Sequence, residues 1–335
     1  MKTLVVSGAR SGVGKTTLAR ELSGLLPGSV RVKIGHCEKK EKEDGGFYYR
    51  RGIAFREIAR RHAEASFLII ESNGILDDMT PDLTVYLGAD RPKPSAALAE
   101  RKADVVRGSS VGPSEVARLA RRLSVNDVTM RKVVWLAGAR PRRATAVVLA
   151  GGASSRMGMD KAQLVVEGAP LVERIRDRLS PCFDEMLLSV SEPPDHGPPA
   201  GLRVVVDRTP GLGPLEGIAS SLAAAEGDVC FVTACDVPDV SLPLVYRLLA
   251  YSEEYDAVLP SFRPGTVEPL FGVYTRGAAE AADKALRMGL RKASSVLELC
   301  GAKIVREAEP AWYANLNTPD DYAEYIGRDS TGREP

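Results

Sequence analysis

The sequence predicts an α/β protein of two domains, on three observations. Short apolar and β-branched runs alternate with longer periodic stretches, the pattern of strands covered by helices. Two glycine-rich turns, one ending at Gly14 and one at Gly151-Gly152, each follow an apolar run. At 335 residues the chain has the length of about two domains.

In the first half, Lys2 to Ser7 reads as a strand, followed by Gly8-Ala-Arg-Ser-Gly-Val-Gly-Lys-Thr-Thr17 and a helix from Thr17 to Leu26. Strand, glycine loop, Lys-Thr and helix is the context of a phosphate-binding loop. Backbone N–H groups over Gly12, Val13, Gly14, Lys15, Thr16 and Thr17 are then expected to hold phosphates. Lys15 would reach the terminal phosphates, and the Thr16 hydroxyl would face Mg2+. Gly8 stands one residue earlier than the usual motif puts its first glycine, and Ala9 takes the standard place. Further strands are expected at Val30 to Ile34, Phe67 to Ser72, Leu83 to Leu87 and Ala103 to Val106. Helices are expected at Gly52 to Ala65, as a short helix entered from the Arg91-Pro-Lys-Pro-Ser95 loop, and at Pro113 to Leu123, with a surface loop at Glu38 to Asp44. Glu71, at a buried strand's tip near the phosphate loop, is a candidate ligand for Mg2+ or its water, or else a helix-capping or surface acid. Together these describe a P-loop NTPase-type domain over residues 1–137.

Ala137-Gly-Ala-Arg-Pro-Arg-Arg143 mixes glycine, proline and charge, so residues 138–143 read as a solvated linker rather than a nucleic-acid patch. Beyond it, strands are expected at Ala146 to Leu149, Leu164 to Val166, Glu185 to Val190, Leu202 to Val206, Val229 to Ala234, Ala257 to Pro260, Glu268 to Tyr274 and Lys303 to Val305. Helices are expected at Pro170 to Leu179, Leu215 to Ala225, Leu242 to Tyr251, Gly277 to Leu290, Ser294 to Cys300 and Pro319 to Ile326. The proline-rich 191–200 stretch must be irregular, and residues 329–335 read as a frayed tail after a domain spanning 144–328.

The bulk numbers exclude several classes. A formal net charge of +1 makes no electrostatic case for nucleic acid or an anionic membrane. No apolar run approaches the ~20 residues that span a bilayer, and Met1 to Val6 is too short for a signal peptide, so a cytosolic protein is expected. The five cysteines include no C-x-x-C pair, which points away from a zinc knuckle or a disulfide framework.

The chain is organised around Leu149-Ala-Gly-Gly-Ala-Ser-Ser-Arg-Met-Gly-Met-Asp-Lys161. Its glycines let the backbone turn and approach a ligand, and consecutive bare N–H groups form an anion site. Arg156 and Lys161 add a fork and a point charge suited to a nucleoside triphosphate. Asp236 ends a buried strand and is expected to hold Mg2+ against that triphosphate, or else to cap a helix before Pro238. Lys161 would sit on the α- or β-phosphate, and Arg156 would neutralise the leaving pyrophosphate.

This loop resembles the signature of molybdenum cofactor guanylyltransferases, which join GMP from GTP to molybdopterin. Three later segments follow the same family in the same order: Asp207 with Gly213-Pro-Leu-Glu-Gly-Ile218, then Thr233-Ala-Cys-Asp-Val-Pro238, then Asn315-Leu-Asn-Thr-Pro-Asp-Asp321. The resemblance implies a Rossmann-like, nucleotide-diphospho-sugar-transferase-type (GT-A-like) three-layer domain. It puts the backbone of Leu149, Ala150, Gly151 and Gly152 on the nucleotide, and Asp207, Gly213 and Pro214 around the nucleoside. Asn315 and Asn317 fall on the acceptor side, although the same run is equally a helix-capping loop by spacing. Where the family often has an Asn-rich strand end this chain reads Leu188-Ser-Val-Ser191, with Ser189 at the position of a base contact. Arg291 and Lys292 are cations for an acceptor phosphate or a solvated face. Cytidylyltransferases acting on molybdopterin are similar but usually carry alanine at the position of Gly151, which favours guanine here.

On its phosphate loop, the His36 segment and the Glu71 strand end, the first half resembles, more loosely, the P-loop GTP-binding partner protein of molybdenum cofactor guanylylation, with dethiobiotin-synthetase-like ligases sharing the loop type. The resemblances imply Mg2+ as cofactor, GTP and molybdopterin as substrates, and acceptor molybdoenzymes or their chaperones as further partners. Two other readings stay open: a cofactor-delivery GTPase with an inactive transferase-like domain, and a sugar-phosphate nucleotidyltransferase.

Overall fold

The structure, a computed structural model, describes residues 1–35, 45–151, 164–166, 168–194, 199–310, 312–316 and 318–329. The chain divides into two compact units, Met1–Pro141 and Arg142–Pro335.

The first unit runs β1 (Lys2–Gly8), α1 (Lys15–Leu25), β2 (Ser29–Gly35), β3 (Phe47–Arg50), α2 (Phe55–Arg61), β4 (Phe67–Glu71), β5 (Leu83–Leu87), α3 (Ala97–Arg101), β6 (Val105–Val106), α4 (Pro113–Leu123) and α5 (Asp127–Leu136). Its six strands form one sheet in the order β3-β2-β4-β1-β5-β6, with every pairing parallel. The side-chain period of two sorts β1 between two cores. Leu4 and Val6 join Leu22, Leu119 and Val133 on the α1, α4 and α5 side. Val5 joins Ile58 of α2 and Ala99 of α3 on the other.

Two elements were not foreseen, β3 and α5. The latter starts where Asn126 accepts a hydrogen bond from the Thr129 N–H at 2.7 Å, an ordinary N-cap. The helix expected from Gly52 begins only at Phe55, because Gly52 has φ +88° and Ala54 is extended.

The second unit runs β7 (Ala144–Leu149), β8 (Val165–Val166), β9 (Ala169–Pro170), α6 (Leu171–Leu179), β10 (Glu185–Val190), β11 (Arg203–Val206), α7 (Pro214–Ala224), β12 (Val229–Ala234), α8 (Leu242–Tyr251), β13 (Ala257–Ser261), β14 (Phe271–Thr275), α9 (Arg276–Arg287), β15 (Ala302–Arg306) and α10 (Pro319–Asp329). Seven strands form a mixed sheet in the order β11-β10-β7-β12-β14-β13-β15. β11, β10, β7 and β12 are parallel, while β14 is antiparallel to both β12 and β13. α7 and α9 pack on one face of the sheet and α6 and α8 against the other strands and face, giving an α/β layered unit. The helix expected at Ser294 to Cys300 is a 3-10 turn over Ala293–Glu298.

The 138–143 segment is tied down rather than solvated. Ala137 and Ala139 are buried, and Arg140 donates to the Gly108 carbonyl at 3.0 Å. Arg142 bonds the Ser252 carbonyl and hydroxyl, each at 3.1 Å, and Arg143 pairs with Glu226 at 2.7 Å. The expected surface loop at Glu38 to Asp44 and the tail from 330 lie outside the described residues. Among the described residues, no helix is long and apolar enough to cross a membrane.

Candidate nucleotide sites

In the first unit the loop between β1 and α1 takes its shape from Gly12 and Gly14, at φ +82° and +92°, backbone that L side chains rarely adopt. Gly14 is the N-cap of α1, so Lys15, Thr16 and Thr17 open the helix with their N–H groups facing the loop. Gly8 belongs to the strand end instead. A Cβ there would lie 2.7 Å from Val13 Cγ2, which accounts for a glycine one residue before the usual motif position. Asn73 clamps this point, accepting from the Gly8 N–H and donating to the Gly8 carbonyl, both at 3.0 Å.

Thr16 donates its hydroxyl to Glu71 Oε2 at 2.8 Å, so the sequence-assigned pair meets. Lys33 of β2, which the sequence did not single out, donates to Thr16 Oγ1 at 2.8 Å and lies 3.3 Å from Glu71 Oε2. Lys15 donates to the Arg10 carbonyl at 2.8 Å. Burial, followed by the nearby Lys33 and Lys93 charges, lowers the Lys15 pKa against the opposing pull of Glu71. Lys15, Lys33, Lys93, Arg10 and Arg51 line a pocket of about 640 Å3 with Glu71 at its edge. Such a surplus of cations beside bare helix N–H groups suits a polyphosphate.

In the second unit four parallel strands end at one edge. Leu149 of β7 pairs with Ser189 of β10 and with Ala234 of β12. Past these ends the Ala150 N–H donates to the Ser189 carbonyl at 2.8 Å, and the Cys235 N–H to the Leu149 carbonyl at 3.0 Å. The Asp207 N–H bonds the Val190 carbonyl at 3.0 Å, and the Leu316 N–H bonds the Asp236 carbonyl at 2.9 Å. Leu149, Ala150, Gly151, Asp207, Asp236 and the exposed Asn315 therefore collect at the C-terminal edge of the parallel strands. Open α/β sheets bind ligands at that edge. Gly152, Arg156, Lys161 and Asn317 lie outside the described residues.

Gly151 is constrained by close packing: a Cβ there would lie 2.8 Å from Ser191 Oγ and 2.9 Å from the Ser191 backbone nitrogen. Ser189, expected at the position of a base contact, lies on β10. It shares the face of β10 with Leu187, which packs under α7, and its side chain is 1% exposed. Its hydroxyl is directed at the Gly217 carbonyl, 3.4 Å away, and not at the open edge.

Asp207 is half-buried, and its Oδ1 has no hydrogen-bond partner among the described residues. Burial, then the adjacent Glu216 charge, pushes its carboxyl up to about 6. Glu216 is itself 2% exposed. It is neutralised by Arg208 at 3.2 Å and accepts from Ser220 at 2.9 Å. An unsatisfied carboxylate oxygen is ready for a ligand donor such as a base N–H or a ribose hydroxyl. At the N-terminus of α7 a pocket of about 430 Å3 is lined by Gly213, Pro214, Leu270, Arg291 and Lys292. Gly213, at φ +80°, caps α7 there, and Arg291 donates to the Gly211 carbonyl at 3.3 Å.

Asp236 is half-buried and its backbone is held on both sides, since the Val237 N–H also returns to the Ala234 carbonyl at 3.2 Å. Tyr313 donates to Glu268 at 2.9 Å, and its phenol is pushed up by burial, then by Glu268 and Asp236. The Leu316 side chain anchors this corner in a small core with Leu164, Val166, Leu171 and Tyr325. Among the described residues, no group of three or more His, Cys, Asp or Glu is arranged to hold a metal ion. A divalent cation would therefore need ligand phosphates beside the protein carboxylate.

A mixed sheet with a glycine turn after β7 and acids just past the ends of β11 and β12 defines an NTP-transferase type of enzyme. The comparisons with known proteins agree. Residues 146–306 match the MobA-like NTP transferase domain. A probable molybdenum cofactor guanylyltransferase of Pelotomaculum thermopropionicum is 37% identical over 188 residues, covering 53% of this chain and 90% of that protein. One from Carboxydothermus hydrogenoformans is 32% identical over 189 residues, covering 54% and 94%. A molybdenum cofactor biosynthesis bifunctional protein of Synechocystis is 31% identical over 182 residues, covering 53% of this chain and 52% of that protein. The chain thus belongs to the MobA-like NTP transferase family, and it is a nucleotidyltransferase.

Proposed function

We propose that the second unit transfers GMP from GTP to molybdopterin with release of pyrophosphate. We further propose that the first unit is a P-loop domain that binds GTP and assists. The observation that carries the transfer reading is the gathering of Ala150, Gly151, Asp207, Asp236 and Asn315 at one sheet edge, in a chain whose relatives are named for this reaction.

In the reaction an acceptor phosphate oxygen attacks the α-phosphorus of GTP. A new P–O–P bond forms, the α–β bond breaks, and pyrophosphate leaves. Both reactants are anions, so the protein's tasks are charge cancellation and in-line positioning. The turn past β7 would hold phosphate oxygens on backbone N–H groups beyond Ala150, whose own N–H is taken by the Ser189 carbonyl, and the unsatisfied Asp207 Oδ1 would accept from the nucleoside. From their sequence positions, Lys161 would stabilise the transferred phosphoryl group and Arg156 the departing pyrophosphate. Asp236 fits a Mg2+ role, being a hard oxygen donor on a backbone fixed from two sides. Bound there, the ion would offset triphosphate charge. No protein nucleophile is required. The crowding at Gly151 supports the guanylyl reading over its cytidylyl relative, whose usual alanine would displace Ser191.

In the first unit, Lys15 and the α1 N-terminus would hold the β- and γ-phosphates, with Thr16 and Glu71 as oxygen ligands for Mg2+. A covalent tether would raise the local concentration of GTP or of the acceptor for the second unit to about the millimolar range. Acceptor molybdoenzymes or their chaperones would receive the product.

Substituting Asp236→Asn tests the transfer reading. The expected outcome is loss of dinucleotide formation by about 100-fold or more, with GTP still bound by the first unit. A variant that makes product at the wild-type rate removes Asp236 from the mechanism.

A further inference from the structure

Lys33 is the side chain that neither phosphate-loop logic nor the transfer chemistry employs. It projects from β2 at mid-sheet, pairing in register beside Glu71 of β4. Its ammonium lies 2.8 Å from Thr16 Oγ1 and 3.3 Å from Glu71 Oε2, and Thr16 in turn donates to that same carboxylate oxygen at 2.8 Å. The three groups close a triangle in which one oxygen of Glu71 serves two donors. Glu71 is 6% exposed, whereas the Lys33 side chain is 37% exposed, so the acid is fixed and the cation is the member with room to move. Lys15 and Lys93 border the same pocket, so withdrawal of Lys33 would leave its charge within reach of any bound phosphate.

We propose that Lys33 is an exchangeable counter-cation of the first unit: its ammonium and a divalent cation compete for Thr16 and Glu71, and nucleotide phosphate draws Lys33 away. This rests on the reading of the first unit as a nucleotide-binding P-loop domain. The physical reason is charge. A divalent ion needs the Thr16 hydroxyl oxygen and the Glu71 oxygen that Lys33 already neutralises, and ammonium and metal repel at such range. A triphosphate supplies the negative charge that lets both cations stay, with Lys33 moved onto a phosphate oxygen. The device keeps metal out of the site until nucleotide arrives. It also lets the unit hold nucleotide with little metal, because Lys33 supplies the positive charge in its place.

The test uses the full chain carrying Asp236→Asn, which silences the acid in the second unit, with Lys33 intact or changed to Met. Mn2+ binding is titrated by electron paramagnetic resonance without nucleotide, and binding of a fluorescent GTP analogue is measured with Mg2+ and with EDTA. The proposal predicts that Lys33→Met gains a Mn2+ site that disappears again when Glu71→Gln is added. It also predicts that EDTA weakens nucleotide binding at least 10-fold more in Lys33→Met than in the protein with Lys33. An unchanged Mn2+ stoichiometry in a folded Lys33→Met protein overturns it, and so does equal sensitivity to EDTA. If adding Lys15→Ala leaves binding of the GTP analogue unchanged, the nucleotide reading of the unit fails, while the Mn2+ titration still decides whether Lys33 blocks a cation site.

Discussion

The Leu316 N–H donates to the carbonyl of Asp236 at 2.9 Å, tying the segment that carries Asn315 to the strand end that carries the acid. The Leu316 side chain is 1% exposed in a core with Leu164, Val166, Leu171 and Tyr325. The segment proposed to meet the acceptor and the carboxylate proposed to hold Mg2+ thus share one joint. Leu316→Ala should cost about 2–4 kcal/mol of stability and raise KM for molybdopterin more than KM for GTP. Thermal unfolding and steady-state kinetics check both effects. Equal rises in the two KM values would place Asn315 away from the acceptor.

Gly151 faces Ser191 too closely for any Cβ, at 2.8 and 2.9 Å. Gly151→Ala should displace the turn that follows β7. At about 1–3 kcal/mol for such crowding, kcat/KM for GTP should fall on the order of 10-fold or more. A variant that turned over CTP better than GTP would show that this residue selects the base as well as shaping the turn.

Asp207 gives a pH signature. Its carboxyl is raised from 3.8 to about 6 by burial and then by Glu216. A folded value above the unfolded one means that the protonated form stabilises the fold below about pH 4. That contribution is lost as pH rises through about 6. Asp207→Asn should therefore gain relative stability above about pH 6, of order 1 kcal/mol once screening at this half-exposed group is allowed for. Melting curves at pH 5 and pH 8 read the difference. In the wild type, GTP binding by the second unit should strengthen over the same rise in pH, because the ionised Asp207 is the better acceptor.

Much of this was legible from residues alone. β5, β10, β12, α4 and α8 begin and end where apolar periodicity and capping residues put them. Candidate sites could be named from residues wherever a motif gathers them into one stretch, as in the loop ending at Lys15-Thr16. What the sequence hid is pairing across strands. Lys33 reads as a surface lysine on a short strand, and only the β2–β4 pairing brings it beside Glu71. The burial of Ser189 was hidden for a related reason: alternation along β10 turns it under α7, and a motif position does not reveal a face. Glu216 sits inside a recognised loop, yet its role beside Asp207 depends on the docking of α7. The β3 strand was missed because Phe47-Tyr-Tyr-Arg50 is short and directly follows a charged glycine-bearing stretch.

For the first unit, Lys15→Ala should weaken GTP binding by about 10- to 100-fold, the range for a charge-assisted contact. Pyrophosphate release at saturating GTP should change little, because on the proposed reading the second unit would hold its own nucleotide. Equilibrium binding of a fluorescent GTP analogue and a release assay on the same full-length sample separate the two. A matching collapse in both would mean that only one of the sites binds GTP.

The most direct measurement is pyrophosphate release with molybdopterin and Mg2+, comparing GTP, CTP and UTP in the wild type and in Lys161→Ala. The account predicts release selective for GTP, lost by about 100-fold or more in the variant. Release selective for CTP, release only with a sugar 1-phosphate as acceptor, or no release from folded protein that still binds GTP would each contradict it.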